Sequence, residues 1–185
     1  MFIRDEAMTL QQFDEWLMHA DNRDSRMQLI DGVMVEKAMP TREHGILAGL
    51  IVTEFNLYLR QNRIGRAAVE ARHAPINDPS NVRIPDVSVV LGIHKPIERD
   101  GTTPYMPDIC VEIKSPSDTY NDMREKARFY LANGAKLVLL LYPEKRMVEH
   151  CTAVDFVMLT IDDVIEGGEL LPNFRLAVKG FFEEI

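Results

Sequence analysis

The sequence predicts an α/β protein with a mixed central sheet flanked by helices. Three observations carry that expectation. Residues 114–137 read as strand, helix, strand, which implies a locally parallel pair joined by a right-handed crossover. The run Leu137-Val138-Leu139-Leu140-Leu141 is continuously apolar, as in a strand buried on both faces. Residues 42–62 carry apolar side chains at helical spacing, long enough to cover one face of such a sheet.

Thr9-Leu10-Gln11-Gln12 reads as a capping box, followed by an apolar stripe of Leu10, Phe13 and Leu17. Asp31-Gly32 separates two short strand-like runs, residues 27–30 and 33–37. That pair suits a two-residue hairpin turn, whose central residues both need positive φ. Thr41 is placed to cap the long helix. Its buried stripe is Leu47, Ile51, Phe55 and Tyr58, with His44 in the first turn of the same side. Glu54 falls within the stripe, where a carboxylate either reaches water at the edge or serves a site. Gly45 and Gly49 allow close approach of another element.

Residues 66–76 and 82–91 read as strands around the turn-forming Asn77-Asp78-Pro79-Ser80-Asn81. Residues 94–106, with Pro96, Gly101 and Pro104, read as a loop long enough to serve as a flap over a site. A third strand spans 108–114. A helix then runs from 119 to 133, closed by Gly134. After residues 136–142 comes a meander at 146–152 and 156–160. The tail holds one short strand in Pro172-Asn173-Phe174-Arg175-Leu176. No repeat or linker interrupts the 185 residues, so the expectation is a single domain over 1–185.

Composition narrows the function classes. The chain is 46% hydrophobic and 27% charged, which supports a globular core. A formal charge of −8 argues against nonspecific coating of nucleic acid, though not against a local basic track. Arg4, Asp5 and Glu6 oppose a secretion signal, and no apolar run approaches the ~20 residues of a membrane span. Cys110 and Cys151 lack a partner motif and read as reduced structural thiols of a cytoplasmic protein.

Strand alternation picks out the chemistry. On the strand at 108–114, Glu112 and Lys114 share one face, ~7 Å apart. Asp86 follows Pro85 on the preceding strand and points away from Val87 and Val89. If those strands pair, Asp86 and Glu112 converge. Two carboxylates, with the Ile113 carbonyl as a third oxygen, suit Mg²⁺ or Mn²⁺ together with water and a phosphate. Lys114 beside them can orient a nucleophilic water or stabilise charge building on phosphorus. Asp108 also follows a proline, but it lies four residues from Glu112 on one strand, ~13 Å away, and is set aside.

The pattern Pro85-Asp86 … Glu112-Ile113-Lys114 resembles the PD-(D/E)XK nuclease motif. The wider text is similar to the Uma-type family of restriction-endonuclease-like proteins. The matching pieces are Leu29-Ile30-Asp31-Gly32, Glu43-His44-Gly45, Pro85-Asp86-Val87-Ser88-Val89-Val90 and Val111-Glu112-Ile113-Lys114-Ser115-Pro116-Ser117. Lys126, Tyr130, Gly134 and Leu171-Pro172-Asn173-Phe174 complete the set. They span residues 27–178. The resemblance implies a restriction-endonuclease-like core, divalent-metal-dependent DNA cleavage and often a homodimer. It adds His44 and Lys126 as residues lining the site and Tyr130 as a packing residue. The chain departs from the family at Gln28, usually Glu, at Asn173, usually Gly, and at Tyr142, often Asp. Lys114 stands where many members have an apolar residue.

Plainer readings stand beside these. Asp86 and Glu112 can be strand-end carboxylates, Lys114 a lysine with its stem on apolar surface, and His44 a filler of a polar gap. Arg60, Arg63 and Arg66 read as surface rather than a DNA track. Three function classes remain open: a metal-dependent DNA endonuclease, a catalytically silent nuclease-fold binding or assembly module, and a hydrolase of small phosphoesters.

Overall fold

A computed structural model describes residues 7–183. The reading of Arg4, Asp5 and Glu6 therefore lies outside the described residues. The elements are α1 (Leu10–Leu17), β1 (Met27–Ile30), β2 (Val33–Glu36), α2 (Arg42–Asn62), β3 (Gly65–Val69), β4 (Val87–Leu91) and β5 (Ile109–Ile113). They continue with α3 (Tyr120–Ala132), β6 (Leu137–Tyr142), β7 (Met147–Cys151), β8 (Phe156–Leu159), β9 (Val164–Glu166), β10 (Arg175–Ala177) and α4 (Lys179–Phe182).

Six strands form the central sheet in the order β3-β4-β5-β6-β7-β8. Every neighbouring pair is antiparallel except β5 and β6, which α3 joins as a parallel crossover. The mixed sheet expected from the sequence is thus the one observed. β1 and β2 make a separate hairpin, and β9 pairs with β10. Asp31 and Gly32 hold φ of 49° and 78°, as the two-residue turn requires.

Helices cover both faces. Leu47, Ile51, Phe55 and Leu59 of α2 pack on Val87, Val89, Ile109, Val111 and Ile113. On the opposite face Met123, Ala127 and Tyr130 of α3 pack on Cys110, Val138, Leu140 and Tyr142. β5 and β6 are buried throughout, because one row of their side chains lies in the layer of α2 and the other in the layer of α3. Cys110 and Cys151 are buried free thiols in this second layer.

Several expectations change. The strand read at 66–76 stops at Val69, because Glu70 takes φ 53° and turns the chain out of the ladder. The strand read at 82–91 begins its ladder only at Val87; before it, Val82 bridges Leu29 and Arg83 bridges His73. Asp86 therefore sits just outside the sheet. The loop at 94–106 is no flap over the site. Thr102 donates to Asp14 on α1 at 2.7 Å, and Thr103 exchanges backbone hydrogen bonds with Arg72 and Ala74. The space beside Gly45 and Gly49 is open, so their small size serves no close contact.

Candidate active site

Asp86 precedes β4 and Glu112 is the fourth residue of β5. Antiparallel pairing sets Val87 opposite Val111, and the same register carried one step further sets Asp86 opposite Glu112. Both carboxylates are almost fully buried, at 2% and 3% exposure. Both line a cleft of about 840 Å³ at this end of the sheet. The β1–β2 hairpin and the start of α2 form one wall. The turn after β5 and the first half of α3 form the other, adding Ser115, Asp118 and Lys126.

Each carboxylate has its own set of donors. Asp86 Oδ2 accepts the Ile113 backbone N–H at 2.7 Å, and Oδ1 accepts the Lys37 ammonium at 2.7 Å. His44, in the first turn of α2, brings Nε2 to 3.1 Å from the same oxygen, without the alignment of a hydrogen bond. Burial alone would raise the Asp86 carboxyl, but the His44 ring and the Lys37 ammonium outweigh it and hold it at about 2. Glu112 Oε1 accepts the Tyr130 hydroxyl at 2.6 Å, and Lys126 Nζ lies 3.3 Å from Oε2. There burial and the neighbouring Asp86 win over Lys126 and Lys37, and the Glu112 carboxyl is raised. Adjacent carboxyl groups pushed in opposite directions are a feature of acid–base sites.

The three lysines divide the cleft among themselves. Lys126 bridges Glu112 and Asp118, which lies 3.4 Å away. Burial pulls its ammonium down, but Glu112 and Asp118 raise it above the ordinary lysine range. Lys114 lines the cleft, yet its ammonium turns to Glu144 at 3.3 Å, to the Ser115 carbonyl at 3.3 Å and over the Tyr120 ring. Lys37 meets Asp86, the Ile84 carbonyl at 2.7 Å and Glu70 at 3.2 Å.

Of the residues singled out in the sequence, Asp86, Glu112, Ile113, Lys114, His44 and Lys126 all border this cleft. Tyr130 is more than packing, since its hydroxyl holds Glu112. Glu54 is a correction. It lies on the exposed face of α2, ten residues and about 15 Å along the helix from His44, and reaches water rather than the site. Asp108 sits at the opposite end of β5, paired with Lys136 and Lys95, as its spacing from Glu112 required. Sequence reasoning missed Lys37 and Glu70. A signal existed for the first: Lys37 continues the alternate positions of Val33 and Val35, a charge on an otherwise apolar row. None existed for Glu70, whose role depends on the left-handed turn after β3.

The donors suit a hard divalent cation. A carboxylate accepts about four hydrogen bonds or metal contacts, and no oxygen of Glu112 is saturated by its one partner. The cleft also has room for a phosphate beside both carboxylates.

A mixed sheet with one parallel crossover, and paired carboxylates and lysines at its end, defines a restriction-endonuclease-like α/β protein. The family profile described as "Uma2: Putative restriction endonuclease" matches residues 10–179, and the chain belongs to that family. A crystal structure titled as a "putative nuclease belonging to DUF820 from Anabaena variabilis ATCC 29413" superposes with a TM-score of 0.79. It is 22% identical, and the match covers 95% of this chain and 97% of that one; at this identity it supports the fold alone. No curated protein matches the sequence. No helix among the described residues is long and apolar enough to cross a membrane.

Proposed function

We propose that this protein is a divalent-metal-dependent DNA endonuclease that hydrolyses phosphodiester bonds within a single domain, acts as a homodimer and works in the cytoplasm. The observation that carries the reading is the burial of Asp86 and Glu112 in one cleft, each with a lysine at its side. Asp86, Glu112 and the Ile113 carbonyl are the residues to hold Mg²⁺ or Mn²⁺. Bound there, the ion supplies Lewis-acid polarisation of a phosphate and acidification of water. The chain's own groups do the rest. Tyr130 and the Ile113 N–H fix the two carboxylates in place. Lys126 balances the charge of Glu112 and presents a cation to the cleft. Lys114, on the same face of β5, reaches the substrate phosphate when it leaves Glu144, which is itself 46% exposed and a weak anchor. His44 stiffens the Asp86 side.

The test is nicking of supercoiled plasmid with Mg²⁺ or Mn²⁺, with EDTA as control, on wild type and on Asp86→Ala, Glu112→Ala and Lys114→Ala. Cleavage in wild type and a loss of at least ~100-fold in each variant is the expected result. Intact DNA under every metal condition would instead indicate a silent binding or assembly module, a reading that the net charge of −8 favours. Turnover of a chromogenic phosphodiester without DNA cleavage would indicate a small-phosphoester hydrolase.

A further inference from the structure

The Lys37 ammonium lies in a cage of oxygens from three separate segments. Asp86 Oδ1 and the Ile84 carbonyl are each 2.7 Å away, and Glu70 Oε1 is 3.2 Å away. These contacts use all three of its N–H donors. His44 Nε2 is fully buried, lacks a hydrogen-bond partner and lies 3.1 Å from the same Asp86 oxygen. Ligand atoms of His44, Glu70 and Asp86 all fall within 4.8 Å of one another. Donors bound at ~2.1 Å to a single ion are separated by at most about twice that distance, so this spread is close to that of one coordination sphere. Glu70 is held for the purpose: its backbone is left-handed at φ 53°, and Arg26 braces its carboxylate at 3.1 Å.

We propose that Lys37 stands in for a second divalent cation, so that the chain binds one metal ion where a second ligand set is already built. This rests on the reading of Asp86 and Glu112 as the site of the first ion. Two-metal phosphodiesterases place their ions about 3.5–4 Å apart. Here Asp86 is the carboxylate common to both positions. Glu112 meets Lys126 and Tyr130, and Lys37 meets Asp86. A tethered ammonium supplies a fixed positive charge next to Asp86, free of metal supply and without a metal's ability to activate water. Lys37 is in this sense a positioning residue. It keeps Asp86 oriented before the first ion arrives.

The experiment is Mn²⁺ titration by calorimetry, with electron paramagnetic resonance of the loaded protein. Wild type, Lys37→Ser, Lys37→Met and Lys37→Ser/Glu70→Gln are compared, each checked for native circular dichroism. The expected stoichiometry is one ion per chain in wild type and two in Lys37→Ser, with an exchange-coupled Mn²⁺ signal in the variant alone. The added Glu70→Gln returns it to one. Lys37→Met keeps the side-chain stem against the hairpin and gains the second ion if Lys37→Ser does not fold. A merely structural Lys37 would lower stability without adding an ion. One ion in wild type and in the folded variants overturns the inference and leaves the nuclease reading intact, as do two ions in wild type. No ion in any protein overturns both. No ion in wild type but one in Lys37→Ser overturns the metal reading of Asp86 with Glu112 and, with it, the inference of a second ion.

Discussion

His73 shows how one buried residue ties the stability of the fold to pH. It is 2% exposed, its Nδ1 lies 3.0 Å from the Tyr105 carbonyl, and its Nε2 is buried without a partner. That geometry fits the neutral ring with the proton on Nδ1. Burial lowers the ring to about 4 from an ordinary value of 6.5, more than the Tyr105 carbonyl raises it. The folded-state pKa is depressed, so the unfolded chain binds the proton first as pH falls. The contribution is present in full above about 6.5 and is lost as pH drops towards 4. Some 2.5 pH units correspond to about 3 kcal/mol. In urea denaturation at pH 4 and pH 6.5, the gain in stability between the two is expected to be about 3 kcal/mol smaller in His73→Gln than in wild type. An equal gain in both would show that the ring is wet.

At the scale of elements, α3 is the part that links packing to the site. Thr119 caps it with a box, its hydroxyl accepting the Asp122 N–H at 3.1 Å while Asp122 accepts the Thr119 N–H at 2.8 Å. From that start, Met123, Ala127 and Tyr130 reach the sheet on one side, and Lys126 falls at the cleft. A second anchor is Arg124, bidentate to the buried Glu149 of β7, with Nη2 donating to Oε1 at 2.6 Å and Nε to Oε2 at 3.2 Å. Thr119→Ala is expected to cost about 1 kcal/mol in thermal or urea unfolding. Because helix position is fixed twice, secondary structure by circular dichroism should stay unchanged. The sequence showed this helix because helical spacing and Gly134 bracket it. It set the helix at 119–133, one residue beyond Tyr120–Ala132 at each end, because Thr119 and Asn133 are its caps. β9 and α4 escaped notice, being three and four residues long and too short to show a period.

The whole molecule joins an acidic chain to a cleft with compensating lysines. Net charge is −8, yet the cleft brings Lys37, Lys114 and Lys126 around Asp86 and Glu112. A ligand that binds only the folded protein stabilises it by mass action, by about 2.7 kcal/mol at one hundred times its Kd. Saturating Mn²⁺ is expected to raise the unfolding free energy by that amount in wild type. EDTA should reverse the gain, and Asp86→Ala should abolish it. Differential scanning fluorimetry with and without metal reads the difference directly. Absence of any metal-dependent shift in wild type would count against the metal site whatever the outcome with DNA.

The sequence by itself determined the longer elements and the two carboxylates. Hydrophobic period, turn residues and caps act locally; Glu112 is read from the alternation of β5, and Asp86 from its place after Pro85 just before β4. Only the tertiary structure decided which lysine serves which carboxylate. Lys114, nearest to Glu112 in the chain, turns to Glu144, while Lys126 and Lys37 arrive from α3 and the hairpin. The reason is physical. A lysine ammonium ends a long flexible stem, and a buried carboxylate takes whichever cation the packing of distant elements brings within reach. That choice depends on how the hairpin docks beside β4 and how the chain turns at Glu70, and no local pattern encodes either.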